Sequence, residues 1–183
     1  MNEEDLMYLN AQPDGRTVFS TPRLEIRELV RKNASSVLSI ISECSENVFM
    51  FPLSGYDEMS IGALIAGDIT DQYRFFGYGL WGVFFHNAIV GLAMLKNGSV
   101  SGTCEIGYAI LKEYRRQGLM TEVMLKVLEF AREQGFMRVE IRASVGNEAS
   151  RAFFISLMKK YYGGKEPHPG HQGAVVDSLS FTL

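Results

Sequence analysis

The sequence is poor in the residues from which crosslinks and metal centres are built: 183 residues hold two cysteines and three histidines. Cys44 and Cys104 stand 60 positions apart, in no C-x-x-C pair and no Cys/His cluster. They read as buried or half-buried free thiols, which suits a reducing, cytoplasmic setting better than a disulfide-stapled fold. His168 and His171 lie in a Pro/Gly loop without further ligands, so no metal is expected there. A strong charge of either sign is missing too. Eighteen Lys plus Arg against 21 Asp plus Glu leave a net charge of −3, which gives no electrostatic reason to bind nucleic acid or an anionic membrane as a main task. The opening MNEEDLMYLN is acidic and lacks the basic-then-apolar order of a signal peptide. The most apolar stretch, Gly77 to Leu95, is interrupted by glycines and alanines and carries His86-Asn87 at its centre. Two short strands joined by a turn explain it better than a membrane span. A G-x-x-x-x-G-K-[ST] loop, a G-x-G-x-x-G turn, internal repeats and low-complexity tracts are all absent.

What remains is an ordinary globular mixture, 46% hydrophobic and 21% charged, of a length that fits one domain with its own core. Residues 1–19, with Pro13, Asp14 and Gly15, read as an N-terminal extension, and 20–183 as the domain. In RLEIREL, Leu24 and Ile26 alternate with charged residues as a half-wet strand. Asn33 is a good N-cap for a helix to Cys44 that puts Val37, Ile40 and Ile41 on one stripe. A second helix is expected between about Asp57 and Tyr73. Three antiparallel strands follow: Trp81 to Phe85, Ile89 to Leu95, and Thr103 to Leu111, with an Asn97-Gly98 turn before the last. Met120, Val123, Met124, Val127, Leu128 and Ala131 form an unbroken apolar helical stripe that ends near Gly135. Glu122 and Lys126 are spaced for an i,i+4 pair on its outer side. Met137 to Ala143 alternate as a strand. Asn147 then caps a helix bearing Phe153, Phe154, Leu157 and Met158, the stretch GGKEPHPGHQG reads as a loop, and AVVDSLSFTL closes the chain as a strand. The expectation is an α/β domain with a mixed, mostly antiparallel sheet flanked by helices. The aromatics Tyr73, Phe75, Phe76, Tyr78 and Trp81 are core by default, some of them able to line a groove.

The segment Glu113-Tyr114-Arg115-Arg116-Gln117-Gly118-Leu119-Met120-Thr121 lies between a strand and the longest helix. Its backbone N–H groups form the unsatisfied first turn of that helix, a place that favours anions. Lys112, Arg115 and Arg116 add cations, and Gly118 lets a ligand approach the backbone closely. A pyrophosphate suits these features; a plain turn with a solvated basic rim would show the same spacing.

This stretch resembles the acyl-CoA pyrophosphate loop of the GNAT N-acetyltransferases, [RQ]-x-x-G-x-[GA], with Arg115, Gly118 and Met120 in those places and Met120 departing from the small residue. The run EIGYAILKEYRRQGLMTEV is similar to the subgroup that acetylates ribosomal-protein N-termini and includes small-amine acetyltransferases. TPRLEIREL, Gly79-Leu80-Trp81 and Asn147-Glu148-Ala149-Ser150 extend the likeness over about residues 20–183. The resemblance implies the GNAT fold, with acetyl-CoA held between two splayed central strands. Its pantetheine arm would run along Tyr108, Ala109, Ile110 and Leu111, its pyrophosphate against Arg115, Arg116, Gln117, Gly118, Leu119, Met120 and Thr121, with Asn147 and Phe154 on the far side. Asn147 can serve equally as a plain helix cap.

The implied reaction is direct attack of a primary amine on the thioester in a ternary complex. It needs a neutral amine, a donor for the oxyanion and a proton for the thiolate. The resemblance places the oxyanion donor at a backbone N–H near Ile110, where the family's fourth strand bulges. Glu105 shares a strand face with the small residues Gly107 and Ala109 and is preferred as base over Glu140, which reads as a salt-bridged exterior between Arg138 and Arg142; deprotonation by water alone stays open. The acid of many GNAT enzymes is a Tyr seven residues after the Asn. Here Phe154 stands in that place, and Ser150 becomes the candidate, with Tyr161 and Tyr162 behind it. Where the family reads Leu-Gly-Phe, this chain has Leu157-Met158-Lys159. The resemblance implies a ribosomal or other protein N-terminus or a small amine as acceptor, and a monomer or homodimer is expected. A non-catalytic acyl-CoA-binding or sensing module is the rival, with a nucleotide-binding protein behind it.

Overall fold

A computed structural model describes residues 14–44, 56–144, 147–162, 168–172 and 176–183. They form one sheet of eight strands flanked by helices. The strands are β1 (Thr17–Ser20), β2 (Glu25–Glu28), β3 (Leu80–Phe85), β4 (Ala88–Asn97), β5 (Thr103–Ile110), β6 (Arg138–Ser144), β7 (His168–Gln172) and β8 (Val176–Thr182). Their order across the sheet is β1-β2-β3-β4-β5-β6-β8-β7, antiparallel throughout except for the β5–β6 pair. The helices are α1 (Ala34–Cys44), α2 (Glu58–Leu64), α3 (Thr70–Phe76), α4 (Leu119–Glu133) and α5 (Glu148–Tyr161). The α4 crossover is what permits β5 and β6 to run parallel.

Local chemistry explains most of these elements. The β3–β4 hairpin turns on His86 and Asn87, both at positive φ (49° and 65°), as a two-residue turn between twisted strands requires. The six apolar residues foreseen along α4 are all buried, the valines, methionines and leucine each contributing about 1.5–3 kcal/mol of burial and Ala131 less. Gly135, at φ 85°, ends α4 by letting its own N–H and that of Phe136 bond back to Arg132 and Ala131. Trp81, fully buried, meets Phe19 and Phe130 edge-on at 5.7 and 5.6 Å, tying β1, β3 and α4 together.

Several elements differ from expectation. Thr17–Ser20 is not part of a loose arm but pairs with β2 as the edge strand β1. His168–Gln172 is a strand, β7, paired with β8. Asn33 does not cap α1; it closes a 3-10 turn by accepting the N–H of Val30 at 2.8 Å. Asn97-Gly98 does not make a two-residue turn, because the chain continues to Gly102, at φ 75°, before β5 begins. Asp57 caps α2, its carboxylate accepting the Ser60 N–H at 2.7 Å. A π-helical turn, Ile65–Ile69, joins α2 to α3, and the Thr70 hydroxyl donates to the Ile65 carbonyl at 2.6 Å inside it. Phe75 and Phe76 are exposed, whereas Tyr73 and Trp81 are core.

Gly91 marks where β4, β5 and the first turn of α4 meet. A Cβ there would lie 2.5 Å from the Ala109 carbonyl oxygen and 3.3 Å from Met120 Cε. Gly91→Ala should therefore destabilise the fold by about 1–3 kcal/mol, read as a lower urea midpoint at unchanged m-value. An unaltered midpoint would show that this junction has slack.

Candidate active site

The strands β5 and β6 pair only over Thr103–Glu105 with Arg138–Glu140, although β5 continues to Ile110 and β6 to Ser144. Beyond that row they part. On its other edge β5 keeps unbroken register with β4, from Asn97↔Cys104 to Gly91↔Ile110. Thr103 accepts from the Gly98 N–H, and Leu111 donates to the Val90 carbonyl. The odd-numbered residues thus bond to β4, and the N–H and C=O groups of Ile106, Tyr108 and Ile110 face the gap. The bulge expected in β5 near Ile110 is not there. It lies one strand away, where Val90 is the extra residue between Val83↔Gly91 and Phe84↔Ile89.

At the open end of the gap, Arg116 (φ 62°) and Gly118 (φ 76°) curl the chain into α4. The first bond of α4 runs from the Glu122 N–H to the Gly118 carbonyl, so the N–H groups of Leu119, Met120 and Thr121 have no intrahelical acceptor. A Cβ built on Gly118 meets nothing closer than Arg23 Nη2, at 3.7 Å. A cavity of about 400 Å³ opens beside it, lined by Arg23, Thr121, Glu122, Leu125, Lys126 and Lys160 among others.

One of the three cations expected here, Arg115, is already engaged elsewhere. Arg115 is clamped backwards: its Nε donates to the Ile110 carbonyl at 3.0 Å, and Nη2 lies 3.5 Å from Cys44 Sγ and 3.8 Å from the Glu43 carboxylate. Glu43 also accepts the Lys112 N–H at 2.5 Å, so the end of α1 holds the loop from below. The cation that does border the helix start is Arg23, donating to the Gln117 carbonyl at 3.2 Å and to Glu122 at 2.8 Å. Glu122 takes Arg23 in place of Lys126, which pairs with Glu129 instead.

The α5 side of the gap is built on Asn147, whose side chain accepts the Ser150 N–H at 3.0 Å as a helix cap. Tyr108 reaches across from β5: its hydroxyl lies 2.9 Å from Ser150 Oγ, and its ring packs on Phe153 at 4.5 Å. Phe154 is closed into the core against Phe181, fully buried, so Phe153 and not Phe154 adjoins Tyr108. Ala109 and Met120 are buried, while Ile110 and Leu111 are partly so.

Two glutamates share the last row before the strands part, Glu105 opposite Glu140. They lie on the sheet face away from α4, since Lys96 opposite Glu105 alternates with Gly91, Ala93 and Leu95, of which Gly91 faces Met120. Glu105 is buried and paired with Lys96 at 3.1 Å. Glu140 is held by Ser99, through N–H at 3.0 Å and hydroxyl at 3.3 Å, rather than by flanking arginines. Cys104, next to Glu105 on the other face, has its thiol pushed up to about 12 by burial, which makes it inert. Sequence reasoning missed Arg23, Glu43 and Lys96 as parts of this site. Arg23 and Glu43 lie 94 and 69 residues from the atoms they hold, and no local pattern reports such pairings. Lys96 faces Glu105 across β4–β5, a pairing that appears only once the register is known.

A family model described as an acetyltransferase (GNAT) domain matches residues 23–157. YdaF of Bacillus subtilis, which carries the name of a ribosomal N-acetyltransferase, is 38% identical over 73 residues, 39% of this chain and 40% of its own length. The match thus spans less than half of that relative. N-alpha-acetyltransferase 30 of Schizosaccharomyces pombe is 28% identical over 123 residues, 60% of this chain and 82% of its own length. Among solved structures, the ribosomal L7/L12 alpha-N-protein acetyltransferase RimL in complex with coenzyme A superposes with a TM-score of 0.72. That match covers 92% of this chain and 98% of the other at 15% identity, a likeness of fold.

The Arg23–Glu122 pair makes the helix start pH-sensitive. Burial pushes the Glu122 carboxyl up, but hydrogen bonds from Thr21 and Arg23 and the Arg23 charge outweigh it and hold the group below its ordinary value. A lowered carboxylate stabilises the fold above the ordinary carboxylate range, and that contribution is lost as pH falls through it. Glu122→Gln should cost up to about 1 kcal/mol at pH 7, with the difference from the parent shrinking in urea titrations as pH falls through and below the ordinary carboxylate range. A difference that widened on acidification would contradict the assignment.

Proposed function

Because the chain belongs to the GNAT acetyltransferase family, we propose that it transfers an acetyl group from acetyl-CoA to a primary amine, by direct attack in a ternary complex. The observation that carries this reading is the parting of β5 and β6. One strand edge, with the N–H and C=O groups of Ile106 and Tyr108 and the N–H of Ile110 unpaired by β6, leads from free helix amides to buried Glu105 and half-buried Glu140. An extended, amide-bearing arm can add to such an edge as a strand would, and a diphosphate suits the amides of Leu119, Met120 and Thr121. When bound, the thioester supplies the activated acyl group; the protein's part is to orient, desolvate and move protons.

In this reading the Ile110 N–H, turned into the gap, is the oxyanion donor. Glu105 takes the proton of the attacking amine, with Glu140 the nearest alternative, and Ser150 gives a proton to the departing sulfur. Arg116 and Arg23 balance the diphosphate, and Arg115 fixes the loop by its bond to Ile110. Tyr108 to Leu111 flank the arm, and Asn147 holds Ser150 at the start of α5. An α-amine, with a pKa about 7.7–8.0, is substantially neutral near pH 7.5, whereas a lysine near 10.4 is not. That difference and the names of the two relatives support a protein N-terminus as acceptor. Two buried free thiols and the lack, among the described residues, of any helix able to cross a membrane are consistent with a cytoplasmic enzyme.

Peptides with free α-amines, assayed with acetyl-CoA for released thiol, should show turnover; thermal stabilisation by CoA without thiol release would instead favour a sensing module. Gly118→Asp places bulk and negative charge at the helix start and should weaken CoA binding at least roughly 100-fold by calorimetry, while Gly118→Ala weakens it far less. Equal affinity in the Asp variant would remove the helix start as the diphosphate site. Glu105→Gln should lower kcat/KM by about 10²–10⁴ and flatten the acid limb of its pH profile. Should the limb persist, the base is another group.

A further inference from the structure

The hydroxyl of Tyr108 has no place in the chemistry described so far. Tyr108 stands on β5 beyond the last row paired with β6, and its side chain crosses to the first turn of α5. Its oxygen lies 2.9 Å from Ser150 Oγ and 3.1 Å from the Ser150 carbonyl oxygen. Burial pushes the phenol up to about 12, so it is protonated, and a donor, at any working pH.

One phenolic proton thus faces two acceptors on the same residue. When it points to the carbonyl, the phenol oxygen can only accept from Ser150, and the serine proton is held on Tyr108. When it points to Ser150 Oγ, the serine proton is released to point elsewhere. The carbonyl loses little by this, because it sits in the first turn of α5, where the N–H four residues on is its helical donor.

We propose that Tyr108 is a positioning residue for Ser150, its hydroxyl turning from the carbonyl to Oγ and so freeing the serine proton for the departing sulfur. This rests on the reading of Ser150 as the proton donor. In the step, the Ser150 O–H bond breaks as an S–H bond forms at sulfur, and the electron pair left on Oγ is held by the Tyr108 O–H. Half-buried Ser150 recovers a proton from water, and the hydroxide produced is neutralised by the proton taken from the amine.

The test is a cycle of Tyr108→Phe, Ser150→Ala and the double variant. It reads kcat at saturating acetyl-CoA with a free-α-amine peptide, CoA affinity by calorimetry, and Tm. Tyr108→Phe keeps the ring on Phe153 and should lower kcat about 10-fold while CoA affinity stays within about twofold. The double variant should be no slower than Ser150→Ala alone. Equal losses from Tyr108→Phe in both backgrounds, or a loss matched by weaker CoA binding and lower Tm, would reduce Tyr108 to a packing residue and overturn the inference. Normal kcat in Tyr108→Phe beside a slow Ser150→Ala overturns the Tyr108 role and leaves Ser150 as donor. Unchanged kcat in Ser150→Ala removes the serine donor itself.

Discussion

The separation of two neighbouring strands is the constraint on which the rest of this molecule turns. A sheet gains by pairing every backbone group, and a buried N–H or C=O left without a partner costs about 1–3 kcal/mol. Yet β5 pairs with β6 over three residues and then continues for five more with only β4 beside it. Something must hold the strands apart and satisfy part of the exposed edge. Tyr108, bonded to the start of α5, spans the opening as a side-chain strut. Arg115 and the Cys44 thiol meet the Ile110 carbonyl at its far end. Between these points the edge has no pairing with β6.

The loop ahead of α4 is fixed from two sides by ion pairs that are remote in sequence. Glu43, at the end of α1, takes hold of Lys112 and Arg115, and Arg23, from the β1–β2 connection, takes hold of Gln117 and Glu122. Each is exposed enough to add little to global stability. Their effect is positional: they fix the loop and with it the direction of the free amides at the start of α4. Because Glu43 lies one residue before the end of α1, the helix on the glutamate-bearing face of the sheet and the loop ahead of α4 are mechanically one unit.

Features with a short repeat were legible in the sequence. The α4 stripe, the three antiparallel strands, the Asn147 cap and the Gly118 turn depend on residues within a few positions of one another, and each is where its pattern puts it. The family likeness was legible in the same way, through the run from Glu105 to Val123. What could not be read depends on partners far along the chain. Thr17–Ser20 favours a strand at Thr17, Val18 and Phe19 but is only four residues long, and its pairing with β2 is what makes it one. Glu122 had a local partner at ideal spacing, Lys126, and a stronger distant one in Arg23, which donates through both backbone and guanidinium. The Val90 bulge leaves no mark in the alternation of β4, since that strand is apolar on both faces.

The π-helical turn at Ile65–Ile69 carries a consequence of its own. A wide turn inserts one residue into a helix and advances every later side chain by about 100° in phase without moving the axis far. Tyr73 lies past that insertion, where its hydroxyl bonds to the Leu80 carbonyl and receives the Leu29 N–H at 3.1 Å. With a regular helix in place of the wide turn, that phenol would swing toward solvent and leave the starts of β3 and of the α1 approach unlinked. The inserted residue thus works as an angular spacer, setting which side of α3 locks onto the sheet.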